Sequence, residues 1–243
     1  MKKTAIMAAF ALGISTTALA QGKDWNFGDG TTPERWSAIN TEYAACDIGK
    51  MQSPIDLTDP DVLGTVKLTT NFGQARGKLS LGEEKVQIDF DQGQNKGMMS
   101  GNKAFNLIQV HFHTPAEHAV DGMRYPMVGH FVHATDAGEL GVLGVFFTEG
   151  RDNPAIAALL RAHASGDGAT LSLDIDDMVP ETVEVYRYMG SLTTPPCSEG
   201  VNWHVANVPV EASAEQIAKL RGALGPSARS IQDRNGRLLI APD

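Results

Sequence analysis

The chain has 243 residues, of which 20 are Lys or Arg and 29 are Asp or Glu, so its formal net charge is -9. A hydrophobic fraction of 42% with 20% charged residues is typical of a folded globular domain and excludes intrinsic disorder. The acidic balance, without a clustered basic stretch, excludes a protein that works by neutralising nucleic-acid phosphates.

The first twenty residues have the pattern of a secretory signal peptide. Residues 2 and 3 are lysines, an apolar run covers about residues 5–14, and Ala-Leu-Ala at 18–20 suits signal-peptidase cleavage. A membrane anchor is the alternative, but the run is far shorter than the roughly 20 residues that span a bilayer. We therefore expect export to the periplasm, no membrane span and a single domain over residues 21–243.

The remaining chain has the pattern of a mainly β protein. Residues 24–50 are rich in turn formers and predict coil with a short helix near residues 33–36. Alternating or short apolar runs predict strands at 66–68, 78–81, 85–90, 105–113, 127–134, 140–148, 183–188 and 201–208. Helical periodicity is strongest at 154–164 and at 214–224, where Ser213 and Gln216 form a capping signal. The prediction is a large, mostly antiparallel central sheet with a few peripheral helices.

The two cysteines, Cys46 and Cys197, both lie outside the leader. An even number of cysteines in an exported chain favours a disulfide, and their spacing is unlike a metal motif. A loop of this length gives a chain-entropy stabilisation of about 4 to 5 kcal/mol. We predict that the two form a bridge.

Five of the seven histidines fall between positions 111 and 133. In a strand, His111 and His113 project from the same face. If residues 127–134 fold back as the neighbouring antiparallel strand, His130 joins them. Three histidine ligands with an open fourth position are typical of catalytic zinc. The alternative, on the His-x-His pattern alone, is that these are partly buried strand residues satisfied by hydrogen bonds.

Four sequence blocks resemble, in order, the signature blocks of the secreted bacterial alpha-class carbonic anhydrases. They are QSPIDL at 52–57, QVHFHTPAEH at 109–118, HFVH at 130–133 and GSLTTPPCSEGVNW at 190–203. The resemblance implies a central sheet of about ten mainly antiparallel strands. It also implies a Zn²⁺ ion at the bottom of a cone-shaped cavity, bound by His111, His113 and His130.

The resemblance further implies reversible hydration of carbon dioxide to bicarbonate and a proton. Zinc lowers the pKa of bound water to about 7 in carbonic anhydrases, which provides a hydroxide nucleophile near neutral pH. Thr193 matches the family threonine that accepts a hydrogen bond from this hydroxide and donates one to a glutamate, here Glu117. An ionised carboxylate can only accept, so Glu117 sets the direction of the threonine proton.

The same resemblance assigns residues around the metal. Gln109 matches the hydrogen-bond partner of His111, whereas His118 and Tyr188 match a structural pair, so His118 is not expected to be a ligand. Thr194 follows the catalytic threonine on the substrate side. An apolar wall for carbon dioxide is expected from Val132, Val142, Leu192, Val201 and Trp203, each of which could equally be plain core.

Three departures from the family pattern predict weak zinc retention or a slow enzyme. Val128 replaces the glutamate that normally accepts the ring N–H of His130, and losing such a partner typically costs about 10- to 100-fold in metal affinity or activity. Glu84 replaces the histidine that relays protons, and a carboxyl with an ordinary pKa of about 4.3 is a poor relay at pH 7. Phe27 replaces a tyrosine of the cavity water network.

The expected partners are therefore Zn²⁺ and a small substrate, carbon dioxide or bicarbonate, and a homodimer is compatible with the sequence. Two other functions stay open. One is a carbonic-anhydrase-like binding module with little catalysis, which Val128 and Glu84 favour. The other is a periplasmic zinc-storage protein, which would take up metal reversibly without turnover.

Overall fold

The structure is a computed structural model that describes residues 23–28 and 32–243, so the predicted signal peptide lies outside the described residues. Two short helices come first, α1 (Trp36–Ile39) and α2 (Ala45–Ile48), with 3₁₀ turns at Pro33–Arg35 and Thr41–Tyr43. The longer helices are α3 (Pro154–Ser165) and α4 (Ala214–Leu224), and a third 3₁₀ turn covers Ile175–Met178.

Thirteen strands within the described residues join into one sheet. They are β1 (Val62–Leu63), β2 (Leu68–Asn71), β3 (Gln74–Gly82), β4 (Lys85–Phe90), β5 (Gly97–Ser100), β6 (Lys103–His113), β7 (Met127–Ala134), β8 (Leu140–Glu149), β9 (Thr170–Asp174), β10 (Val185–Ser191), β11 (Glu199–Ala206), β12 (Val210–Ala212) and β13 (Ile240–Ala241).

The strand order places the predicted site strands near the middle of the sheet. Along the main path the order is β1-β13-β10-β11-β8-β7-β6-β4-β3-β9, with β12 beside β8 and β5 between β2 and β6. Pairing is antiparallel except for β11–β8, β12–β8 and β1–β13, which are parallel. The predicted mainly β fold, with a large and mostly antiparallel sheet and few helices, is confirmed. No helix in the described part of the chain is long and apolar enough to cross a membrane.

Sequence patterning does not predict five of the strands: β1, β5, β9, β12 and β13. Four of these have two to four residues, which is too short for a periodic pattern, and they exist because neighbouring strands supply backbone partners. The observed pairing of β10 with β11 also differs from the predicted bounds of these two strands. Strands β10 and β11 pair from Val185 with Ala206 to Ser191 with Glu199, which moves both away from the predicted 183–188 and 201–208.

The sheet separates two apolar clusters. The larger cluster includes Phe112 of β6, Phe131 of β7 and the apolar face of α4. The smaller cluster lies on the other face and includes Val142 and Trp203. Because successive strand residues alternate faces, the histidines at 111, 113 and 130 share the side of the smaller cluster. Helix α4 begins with the predicted capping box, in which Ser213 and Gln216 exchange hydrogen bonds.

Cys46 and Cys197 form the predicted disulfide. Both cysteines are buried and pack with Trp36 in a small cluster of the N-terminal region. The bridge joins α2 to the loop between β10 and β11, which carries Thr193. The first helical region is therefore covalently fixed to this loop.

Candidate metal centre

Strands β6 and β7 bring the three predicted ligands together. His111 lies directly opposite His130 in the antiparallel ladder, and His113 lies opposite Val128. One nitrogen from each histidine lies within 4.8 Å of the others. His113 and His130 are buried and His111 is half-buried. The three side chains predicted from strand alternation thus converge on one point.

The chemistry of this trio fits zinc. Burial, reinforced by the neighbouring imidazoles, lowers the pKa of His111 and of His130 well below its usual value, so both rings are neutral near pH 7. The Nε2 atom of His113 is buried and has no hydrogen-bond partner among the described residues. Buried polar atoms normally have partners, and a metal would satisfy this one. Three histidine side chains without cysteine are the ligand set of a catalytic zinc site.

Two ligand rings are oriented by hydrogen bonds from their outer nitrogens. Nδ1 of His111 donates to Oε1 of Gln109 at 2.9 Å, and Nδ1 of His113 donates to the carbonyl oxygen of Ser227. Each bond places the ring hydrogen on Nδ1 and leaves the lone pair of Nε2 for a metal. Gln109 is the expected partner, whereas Ser227 was not expected.

No residue in the described part of the chain orients His130 in this way. Its Nε2 is buried without a hydrogen bond among the described residues, and its Nδ1 lies 3.8 Å from Oε2 of Glu117. Val128, two residues earlier on the same face of β7, is fully buried in the smaller apolar cluster and offers no acceptor. The outer nitrogen of this ring therefore faces apolar surroundings.

Glu117 is fully buried beside the trio. Its Oε1 accepts a hydrogen bond from the backbone N–H of Arg229 at 2.9 Å. Its Oε2 lies 3.4 Å from Nε2 of His113 and has no hydrogen-bond partner in the described part of the chain. Thr193 is also buried. Both residues belong to the described part of the chain, and the Thr193 hydroxyl forms no hydrogen bond to Glu117. Oε2 is thus the oxygen that remains for a hydroxyl donor.

The five apolar residues predicted to face the substrate form one wall. Val132, Val142 and Trp203 lie on the neighbouring strands β7, β8 and β11, and Val142 is paired with both of the others. The ring centroid of Trp203 is 4.9 Å from that of His130. Val201 and Leu192 belong to the same cluster. The structure therefore brings all five together on one side of the ligand trio.

Thr194 lies in the loop that carries Thr193 and contributes to its shape. Its carbonyl oxygen accepts a hydrogen bond from the backbone N–H of Cys197 at 2.9 Å. The backbone N–H of Leu192 donates to the carbonyl of Ser198 at 3.0 Å. These bonds close the loop on itself next to the disulfide.

Glu84 is bound by the N-terminal segment. It lies at the turn between β3 and β4, where Oε2 is 2.7 Å from Nζ of Lys23 and Oε1 accepts the backbone N–H of Phe27 at 3.1 Å. The ring of Phe27 lies 6.3 Å from that of His113. The carboxylate thus fixes the segment 23–27 near the site.

His118 is separate from the ligand set. Its Nε2 lies 2.6 Å from the hydroxyl of Tyr188, which is in turn 2.8 Å from Oγ of Ser53. Burial lowers the pKa of His118 to about 3, so the ring is neutral. His118 and Tyr188 therefore belong to a buried hydrogen-bond network that also includes Ser53.

Two residues at the site have no local sequence signal. Ser227 and Arg229 lie in an irregular segment after α4, and their contacts with His113 and Glu117 span 114 and 112 residues along the chain. No hydrophobic periodicity or motif connects positions so far apart. Only the folded arrangement identifies them.

Comparisons with known proteins agree with this geometry. The sequence model of the family described as eukaryotic-type carbonic anhydrase matches residues 31–238. A carbonic anhydrase of Nostoc sp. is 34% identical over 96% of this chain and 91% of its own length. The solved alpha-carbonic anhydrase of Thermovibrio ammonificans superposes with a TM-score of 0.84 at 36% identity, covering 90% of this chain and 100% of that one. That of Photobacterium profundum gives a TM-score of 0.80 at 37% identity, covering 89% and 99%.

Proposed function

This chain belongs to the eukaryotic-type carbonic anhydrase family, whose members are zinc lyases that hydrate carbon dioxide, and we propose which of its residues perform the reaction and how fast. His111, His113 and His130 would bind the zinc ion. Glu117 and Thr193 would orient the reacting oxygen, and the apolar wall around Trp203 would hold carbon dioxide. The observation that carries this proposal is the convergence of three buried or half-buried imidazoles within 4.8 Å.

When bound, zinc supplies a Lewis acid that makes water nucleophilic near neutral pH. The protein supplies the geometry. Gln109 and Ser227 fix the rings of His111 and His113 so that each presents Nε2, and His130 would present Nδ1. The smaller apolar cluster excludes water from one side of this point, which suits a substrate without a net dipole.

Glu117 would control one proton. Its Oε1 is already satisfied by the N–H of Arg229, so only Oε2 remains to accept the hydroxyl proton of Thr193. An ionised carboxylate cannot donate, so the threonine oxygen would be left as an acceptor facing the metal.

We expect turnover to be slow for two reasons. Within the described ranges the outer nitrogen of His130 lacks an acceptor because Val128 is apolar, and Glu84 is held by Lys23 rather than free to relay protons. Proton removal would then depend on buffer. The rate of carbon dioxide hydration should rise with added imidazole, and a rate independent of imidazole would contradict a missing relay.

The signal-peptide pattern and the disulfide favour an exported enzyme. We place the mature enzyme in the periplasm as a single catalytic domain from residue 21 onward. A disulfide between buried cysteines forms readily in an oxidising compartment and is rare in the cytosol. A fractionation assay that finds the protein in the periplasm, shortened at its N-terminus, would support this assignment.

The deciding experiment is stopped-flow carbon dioxide hydration on protein of measured zinc content. We expect activity that a zinc chelator removes and that zinc restores. His113→Ala should lose at least about 1,000-fold in activity together with its zinc, because the remaining two ligands cannot form the site. His163→Ala, on α3 and outside the ligand cluster, is the matched histidine control.

Val128 and Glu84 favour one rival function, a binding module with little catalysis. Full zinc occupancy without chelator-sensitive hydration would favour that module. Reversible zinc uptake without hydration would favour zinc storage instead.

A further inference from the structure

Arg229 is a buried cation whose side chain reaches the N-terminal region. It is 1% exposed. Nη1 donates to Oε1 of Gln52 at 2.9 Å and to the carbonyl of Ser53 at 2.7 Å, and Nη2 donates to the carbonyl of Cys46 at 2.8 Å. The guanidinium carbon lies 5.7 Å from the ring centroid of Trp36. Burial lowers the pKa of Arg229 to about 10, so the side chain remains charged at neutral pH.

The main chain of the same residue reaches the metal centre. The N–H of Arg229 donates to Oε1 of Glu117. Two residues earlier, the carbonyl of Ser227 accepts the Nδ1 hydrogen of His113, and Oγ of Ser227 accepts the backbone N–H of Thr114 at 3.1 Å. The segment 227–229 therefore touches one ligand and the buried carboxylate, although it has no helix or strand to hold it.

We propose that Arg229 is a positioning residue of the metal centre. Its guanidinium anchors the segment 227–229, and this anchoring fixes both the acceptor of His113 and the N–H donor of Glu117. The planar fork of an arginine suits the task because it holds several acceptors in a fixed geometry, which the point charge of a lysine cannot do. The inference rests on the proposed function, since it assigns Arg229 to the same zinc site.

The anchor also connects the site to the disulfide. Cys46, whose carbonyl accepts Nη2, is bonded to Cys197 in the loop that carries Thr193. The buried side chain of Arg229 therefore connects three groups. These are the N–H that donates to Glu117, the carbonyl that accepts from His113, and the disulfide of the loop that carries Thr193. A second arginine, Arg124, holds the carbonyl of Arg229 at 3.0 Å.

A nearby arginine provides a matched control. Arg237 donates to the carbonyls of Met189, Asp233 and Arg234, as Arg229 does to its own acceptors. It belongs to the same C-terminal region, but none of these bonds reaches a ligand or Glu117. A purely structural role predicts similar consequences for both arginines, whereas a positioning role predicts different ones.

The test compares Arg229→Lys with Arg237→Lys in the zinc-loaded full chain. We expect Arg229→Lys to release zinc to a chelator about 10-fold faster and to lower kcat/KM about 10-fold, as for lost partners of metal ligands. The reduction should fall on kcat more than on KM, because the substrate wall is intact. Arg237→Lys should lower the melting temperature while zinc release and kcat/KM stay at wild-type values.

Equal zinc-release rates in wild type and Arg229→Lys would overturn the proposal, even if the variant were less stable. If Arg229→Lys does not fold, Gln52→Met removes one acceptor of the guanidinium, together with the amide donor to Cys197 and Glu199, and should accelerate zinc release by a smaller factor. Unchanged release in that variant would equally overturn it. Because zinc release is measured without carbon dioxide, the result holds even if the wild-type chain shows no hydration and the proposed function fails.

Discussion

The metal ligands and the groups that orient them are built in two different ways. The ligands stand on β6 and β7, where backbone pairing and the alternation of side chains fix each position. Glu117, Thr193 and the segment 227–229 have no regular structure and depend on a disulfide, a buried arginine and single hydrogen bonds. In the site proposed above, regular strands would hold the metal, whereas irregular segments would orient the reacting groups.

Breaking the disulfide should give the largest effect on the irregular side of this comparison. Cys46→Ser should lower the free energy of unfolding by about 2 to 5 kcal/mol, because the bridge closes a loop of about 150 residues. Turnover should also fall, because the loop carrying Thr193 loses its tether, while β6 and β7 still bind zinc. Urea unfolding, zinc content and stopped-flow assays well below the melting temperature measure the three quantities.

The double variant Cys46→Ser with Cys197→Ser is the control, because it leaves no free thiol to react. It should behave like the single variant. Turnover per bound zinc that matches the wild type in both variants would show that the bridge stabilises the fold without shaping the site.

The sequence predicts the residues on strands better than those in irregular segments. Alternation in β6 placed His111 and His113 on one face, because strand geometry has a fixed period of two. Adding His130 required the assumed pairing with residues 127–134 and the family resemblance. Arg229 and Ser227 were out of reach, because their contacts cross more than 110 residues and follow no period. The sequence alignment placed Glu84 at the proton-relay position but did not predict its contacts. In the structure its carboxylate pairs with Lys23 and accepts the backbone N–H of Phe27. Short marginal strands such as β1 and β13 were unpredictable for a related reason, since pairing alone defines them.

Supplying the missing acceptor should sharpen the comparison on the strand side. Val128→Glu would place a carboxylate near the buried Nε2 of His130, which has no partner among the described residues. We expect zinc to dissociate about 10- to 100-fold more slowly, because such outer partners orient a ligand ring and raise its basicity. Chelator-driven release of zinc measures the rate.

Val128→Leu is the apolar control and should leave the rate unchanged. If the buried carboxylate prevents folding, Val128→Gln offers a neutral acceptor at the same place. Wild-type dissociation rates in both polar variants would show that the environment of His130 does not limit zinc retention.

The effect that is smallest at neutral pH concerns the face of the sheet opposite the ligands. Burial lowers the pKa of His133 to about 4 and that of His204 to about 3, whereas an unfolded histidine titrates near 6.5. Below pH 6.5 the unfolded chain therefore binds more protons than the folded one. The free energy of unfolding is therefore highest above pH 6.5. It falls by about 1.4 kcal/mol per pH unit for each histidine as the pH drops towards the folded-state pKa, about 4 for His133 and about 3 for His204.

Urea unfolding of the wild type and of His204→Asn across this range checks the sign. On acidification the free energy of unfolding of His204→Asn should fall less steeply with pH than that of the wild type, by a slope equivalent to at most one proton. His163→Asn is the control. Identical slopes would mean that His204 gains no proton on unfolding.

The spacing of the ligands also has a consequence for the order of biogenesis. His111, His113 and His130 fall within twenty residues, whereas the N–H that holds Glu117 belongs to a residue 112 positions further along the chain. If the chain is exported from its N-terminus, as proposed above, the three histidines would leave the translocation channel well before Arg229. The proposed metal ligands would thus emerge before the segment that orients one of them.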